Sequence, residues 1–192
     1  MLCRSFLVSS LLVCGWVLVS LIAARADAQV KELTPHRWSS GAGMGFVGST
    51  PDGVAEFAIN GHAEYFVTER FSIGPLAQYA GVGNDFLFGL SAQARYWWDI
   101  PGTDHVAKLV LQGGFGFVRA GIKDTDSGTA NTYGSFLIPI GVGIDYAVTE
   151  RLAITADFLL NFTSLGETVR TGVREFDLHT NLMPALYLGI RF

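Results

Sequence analysis

The stretch Ser135-Phe136-Leu137-Ile138-Pro139-Ile140-Gly141-Val142-Gly143-Ile144-Asp145-Tyr146 decides how this chain folds. Every second residue from Phe136 to Tyr146 is large and apolar, and those between are mostly small or polar. That is the period of a β-strand, whose successive side chains point to opposite faces; helical spacing would scatter the same residues around an axis. Two further stretches read the same way. Phe86, Phe88, Leu90, Ala92, Ala94 and Tyr96 alternate with Leu87, Gly89, Ser91, Gln93 and Arg95, and Leu152, Ile154, Ala156, Phe158, Leu160 and Phe162 alternate with Ala153, Thr155, Asp157, Leu159 and Asn161. Eight such runs occur, at roughly 37–48, 54–66, 71–81, 86–97, 106–120, 133–146, 152–162 and 178–192. Each is longer than the common globular strand of about 5–6 residues and suits the ~9–11 needed to cross a membrane at a tilt. An even number of strands also suits closure. The expected fold is all-β: an eight-stranded antiparallel up-and-down transmembrane β-barrel.

Alternation alone also fits a soluble sandwich, so the character of the second face matters. Only 16% of the residues are charged while 49% are hydrophobic, against about a quarter charged in soluble domains. A soluble sheet would solvate its second face with Lys and Glu; here that face is rich in Gly, Ala and Ser, which fit the crowded lumen of a small barrel. Tyr65, Phe71, Tyr96, Tyr146 and Phe192 lie at one set of strand ends and Phe46, Tyr79, Phe86, Phe117, Tyr133 and Phe162 at the other. Two aromatic girdles are the expected interface pattern.

The N-terminus reads separately. Arg4, the apolar run Phe6–Ala24 and Ala26-Asp27-Ala28 before Gln29 follow the order of a cleaved secretory signal peptide. We expect a signal peptide at 1–28, a barrel at 29–192, and a location in the bacterial outer membrane. Cys3 and Cys14 both fall in the leader, so neither disulfides nor Cys-ligated zinc are expected in the barrel. Removing Arg4, Arg25 and Asp27 takes the charge from 13 − 17 = −4 to 11 − 16 = −5, the wrong sign for a nucleic-acid partner. No cofactor or metal site is expected. Asp124-x-Asp126-x-Gly128 lacks the spacing of a calcium loop, and the G-x-G-x-x-G match at Gly43–Gly48 lacks the strand and helix that a nucleotide fingerprint needs.

Val67-Thr68-Glu69-Arg70 recurs as Val148-Thr149-Glu150-Arg151, and both sit between strands. With the N-terminus in the periplasm, both turns and the Trp98–His105 link fall on the periplasmic side. The longer links at about 121–132 and 163–177 fall outside.

The inward face carries Asn60, His62, Glu64, Gln93, Arg95, Gln112, Asp145, Asp157, Tyr187 and Arg191. Charges buried alone in a narrow lumen cost roughly several kcal/mol per ion and must pair. Glu64, Arg95, Asp145 and Arg191 are therefore expected to pair near the periplasmic end, plugging the barrel.

The last strand, Leu186-Tyr187-Leu188-Gly189-Ile190-Arg191-Phe192, looks like the C-terminal signal by which outer-membrane barrels are recognised for assembly, through Leu188, Gly189, Ile190 and Phe192. With the Val-Thr-Glu-Arg turns, it resembles the outer membrane protein β-barrel domain group, similar to the OmpA, OmpX and opacity-type small barrels. The resemblance implies the barrel-assembly machinery, outer-membrane lipid and lipopolysaccharide as partners, and leaves any surface ligand unnamed. The expected role is structural or surface-interactive through the external loops. A narrow pore for ions or small solutes is the alternative, and a lipid A-modifying enzyme the lesser one. The latter would use Ser164, His179 and Glu167, since nucleophilic catalysis needs a Ser activated by a His that an acid orients. No catalytic residues are assigned, because none of His36, His62, His105 and His179 has a Ser two residues away.

Overall fold

The computed structural model describes residues 33, 35–48, 55–82, 85–123, 130–170, 173–177 and 181–192. The expected signal peptide and Asp124–Gly128 lie outside them. Among these residues ten strands form: β1 (Trp38–Gly48), β2 (Ala55–Thr68), β3 (Phe71–Val82), β4 (Asp85–Asp99), β5 (Ala107–Lys123), β6 (Ala130–Ala147), β7 (Ala153–Thr163), β8 (Gly166–Arg170), β9 (Val173–Asp177) and β10 (Asn181–Arg191). Eight close a barrel in the order β1-β10-β7-β6-β5-β4-β3-β2, and β8 pairs only with β9. Neighbours are antiparallel throughout, and β1 meets β10 from Gly41↔Arg191 to Val47↔Ala185, which leaves no free edge.

Burial follows the alternation. Along β7 the pattern Ala153, Thr155, Asp157, Leu159, Asn161, Thr163 is buried, and Ile154 and Phe158 are exposed. Ile140 is 51% exposed and Leu188 60%, exposures that only an apolar surrounding makes favourable.

One end carries short turns and the other long hairpins. At the turn end the two Val-Thr-Glu-Arg segments make the same bond: the Arg70 amide donates to Thr68 Oγ1 (3.3 Å) and the Arg151 amide to Thr149 Oγ1 (3.2 Å). A threonine hydroxyl closing its own turn explains the repetition locally. At the hairpin end, β5 and β6 stay paired out to Lys123↔Ala130, and β8–β9 forms a separate ribbon. The expected loops 121–132 and 163–177 are thus partly strand. The lipid-driven alternation fades beyond the membrane, while the backbone still gains by keeping its ladder.

The interior also differs from an expectation of small residues. Leu76, Leu137, Leu159, Val118 and Trp97 are fully buried, and Phe66 is nearly so. Aromatics are not confined to the rims either: Phe115 and Phe158 are exposed in mid-strand. Lipid accepts aromatic rings at any depth, whereas only the rims reward their polar edges.

Candidate functional site

The structure turns all ten lumen residues named above inward, as strand parity requires, with Arg191 reaching the turn-end opening. They form layers. Nearest the turns is an apolar seal: Phe66 packs on Trp97 (5.4 Å between rings, tilted), together with Val110, and Leu33 covers them from below. The segment before β1 is held there because the His36 amide donates to the Phe66 carbonyl (2.7 Å) and the Phe66 amide to the Arg37 carbonyl (2.9 Å).

The ionic layer comes next. Arg191 binds Asp145 with both prongs, Nε to Oδ2 at 2.8 Å and Nη2 to Oδ1 at 2.9 Å. Arg95 approaches Glu64 at 3.7 Å. Ser72 ties this layer to the seal: its hydroxyl donates to Glu64 Oε2 (3.0 Å) and accepts from Trp97 Nε1 (2.9 Å). Arg191 also lies 5.1 Å over the Trp97 ring, a favourable stacking for a guanidinium. Four charges thus sum to zero in one short section of the lumen.

Amide side chains, Tyr187 and the carboxyl of Asp157 fill the middle. Gln112 donates to Asp157 (3.0 Å), Gln78 exchanges bonds with Asn161 (3.2 and 3.3 Å), and Tyr187 donates to Gln78 Oε1 (3.1 Å). Gly41 in β1 makes room for His62, since a Cβ there would stand 2.5 Å from the imidazole. A second apolar layer follows at the hairpin end, built from Leu76, Leu159, Val47 and Met183, with Val118 and Leu137 alongside. A void beside Gln78, Leu137 and Tyr187 amounts to about 10 Å³, and one beside His62, Glu64 and Arg95 admits no water. A single water needs roughly 10–15 Å³.

Sequence reading missed Ser72, Gln78, Phe66 and Trp97. Parity carried from Arg95 assigns Trp97 to the lumen, but three consecutive aromatics at Tyr96-Trp97-Trp98 read more readily as a girdle. Of the enzyme candidates, Ser164 meets the Ser135 hydroxyl rather than a base, while the Glu167 side chain and His179 lie outside what is described. Among the described residues, no group of three His, Cys, Asp or Glu could hold a metal ion.

The sequence matches the family model "Outer membrane protein beta-barrel domain" over residues 14–179. Among solved structures it is similar to Neisserial surface protein A, at 18% identity and a TM-score of 0.60 over 80% of this chain and 94% of that one. It is also similar to the outer membrane protein OprG from Pseudomonas aeruginosa, at 12% identity and a TM-score of 0.53 over 86% and 99%. The N-terminal β-barrel domain of Pseudomonas aeruginosa OprF follows at 16% identity and a TM-score of 0.51 over 80% and 97%. No curated protein matches the sequence. Likeness at such identities carries the fold and not the activity. The closed eight-stranded barrel and a family match across most of its length agree, and this chain belongs to the outer membrane protein β-barrel domain family of Gram-negative bacteria.

Proposed function

We propose that the protein is a plugged outer-membrane scaffold that works by surface contact, without transport or turnover. In this reading residues 1–28 are a cleaved leader, the turn end faces the periplasm, and the β5–β6 and β8–β9 hairpins reach outside. A rigid barrel displaying ribbons is a common way to hold a binding surface, and lipopolysaccharide is their immediate neighbour. Leu188, Gly189, Ile190 and Phe192 serve recognition by the assembly machinery.

The observation that supports this best is the filled lumen, with apolar layers at both ends and the Arg95–Glu64 and Arg191–Asp145 ion pairs between them. An ion crossing the seal at Phe66 and Trp97 would leave its water with no replacement ligand, at a cost of several kcal/mol or more, about the scale of an unpaired buried charge. The alternative, a narrow pore, draws on the polar middle section, where Gln93 Oε1 and Gln112 Oε1 have no partner among the described residues. Planar-bilayer recording separates the two: the plugged reading expects silence, and steady conductance by folded protein contradicts it.

A further inference from the structure

The membrane-facing surface is uneven. On β6, β7 and β10 it consists of bulky side chains such as Ile140, Ile144, Phe158 and Leu188. On β3, β4 and β5 large outward side chains such as Ile73, Leu111 and Phe115 flank a short middle section where the outward positions are small: Pro75 pairs with Ala92, and Ala94 with Gly113. Bounded by Tyr65 and Phe115, these residues open a groove of about 1040 Å³. Gly113 is the telling position. A Cβ built there meets nothing within 4 Å, so packing within the barrel does not demand a glycine. Glycine weakens a strand interior, and it often marks the close approach of something else.

A second observation points to what approaches. At the turn end the groove begins at Trp38, which is also a wall of a separate cleft of about 530 Å³ lined by Arg37, Arg151 and Glu150, with Arg191 held by Asp145 behind them. Arg37 and Arg151 are exposed, and neither forms an ion pair among the described residues. Trp38 packs against Tyr65 (5.4 Å between rings), whose hydroxyl meets His36 Nδ1 at 3.0 Å. A shelf on which two arginines outnumber one carboxylate, Glu150, therefore shares an indole wall with an apolar trough.

We propose that this surface binds one anionic glycerophospholipid of the periplasmic leaflet. Its phosphodiester sits at Arg37 and Arg151, and one acyl chain runs past Ala94 to Gly113 and Phe115. Within a membrane, association depends on close van der Waals packing, which small residues permit; the guanidinium groups select an anionic headgroup. A second copy of the barrel fits this face less well, because a two-fold interface would bring the arginine-bearing rims of the two copies together. The assignment to the periplasmic leaflet rests on the orientation proposed above.

The test is native mass spectrometry of the chain from Gln29, extracted in mild detergent from vesicles of phosphatidylethanolamine and phosphatidylglycerol. Gel mobility before and after heating confirms that each variant is folded. One retained phosphatidylglycerol per barrel is expected. Its loss is expected in Gly113→Phe, which fills the trough, and loss of headgroup preference in the double variant Arg37→Gln, Arg151→Gln. Absence of a retained lipid, or retention unchanged in Gly113→Phe, overturns the proposal, as does a dimer that dissociates on that substitution. The masses carry no information on orientation, so their failure leaves the surface-contact reading standing. Protease cleavage of the hairpins on intact cells tests that reading separately.

Discussion

Replacing Arg191 by Met should be among the most costly substitutions in the barrel. The side chain of Asp145 is 2% exposed, and both of its oxygens accept from Arg191. Removing the guanidinium strands that carboxylate, which costs about 3–5 kcal/mol for a buried pair broken on one side. The stacking of Arg191 over Trp97 at 5.1 Å adds about 0.5–2 kcal/mol. The reverse substitution, Asp145→Leu, should cost less. Arg191 remains 14% exposed at the opening and keeps a long contact of 3.4 Å with Ser39, so water can solvate part of its charge. The double variant should be milder than the sum of the singles, because no lone charge remains, and a coupling of about 2 kcal/mol or more is expected between groups in direct contact. Urea unfolding of protein refolded in vesicles, followed by tryptophan emission, measures all three. Refolding in vitro matters because Arg191 adjoins the proposed assembly signal. A loss below about 1 kcal/mol for Arg191→Met, the range of an exposed pair, would refute the reasoning, and so would simple additivity.

Ser72→Ala should cost about 1–3 kcal/mol, since it leaves Trp97 Nε1 and Glu64 Oε2 without this partner in a dry site; the shift in the urea midpoint reads it. Two glycine substitutions should diverge. A Cβ at Gly45 would stand 1.8 Å from the Leu186 carbonyl oxygen across the closing seam. Gly45→Ala should therefore destabilise by at least the ~1–3 kcal/mol of an overpacked core, weakening the compact band of unheated protein on gels. Gly113→Ala, with open space around it, should leave that band unchanged.

Much of this architecture is legible in the sequence because two solvents impose opposite demands on alternate residues. In β6 and β7 most large apolar side chains, Leu137 and Leu159 apart, fall on the lipid face, and the strand and its parity follow directly. The same parity turns Glu64, Arg95, Asp145 and Arg191 inward, and neutralisation in a narrow space then brings them together. The outer parts are harder to read. Beyond the membrane the lipid demand ends, so 121–123 and 130–132 read as loop although their backbones stay paired. The β8–β9 ribbon had a faint signal, Thr168-Val169 and Val173 around Thr171-Gly172, too short to stand apart from a polar loop. The apolar layers were missed because alternation tells which way a residue points and not how far the opposite wall lies. Leu76 and Leu159 face inward where the lumen is wide enough to need them. The seal at Trp97 depends equally on Leu33, which lies outside every strand.

The central claim is that bulky apolar side chains face lipid while the lumen is packed and closed to it. Single-cysteine variants along residues 153–162, made on the chain from Gln29 and spin-labelled in vesicles, test it directly. Oxygen dissolved in lipid should collide readily with labels at 154, 156, 158, 160 and 162, and poorly with labels at 153, 155, 157, 159 and 161, in strict alternation. Equal accessibility along the run, or the opposite phase, would contradict the account.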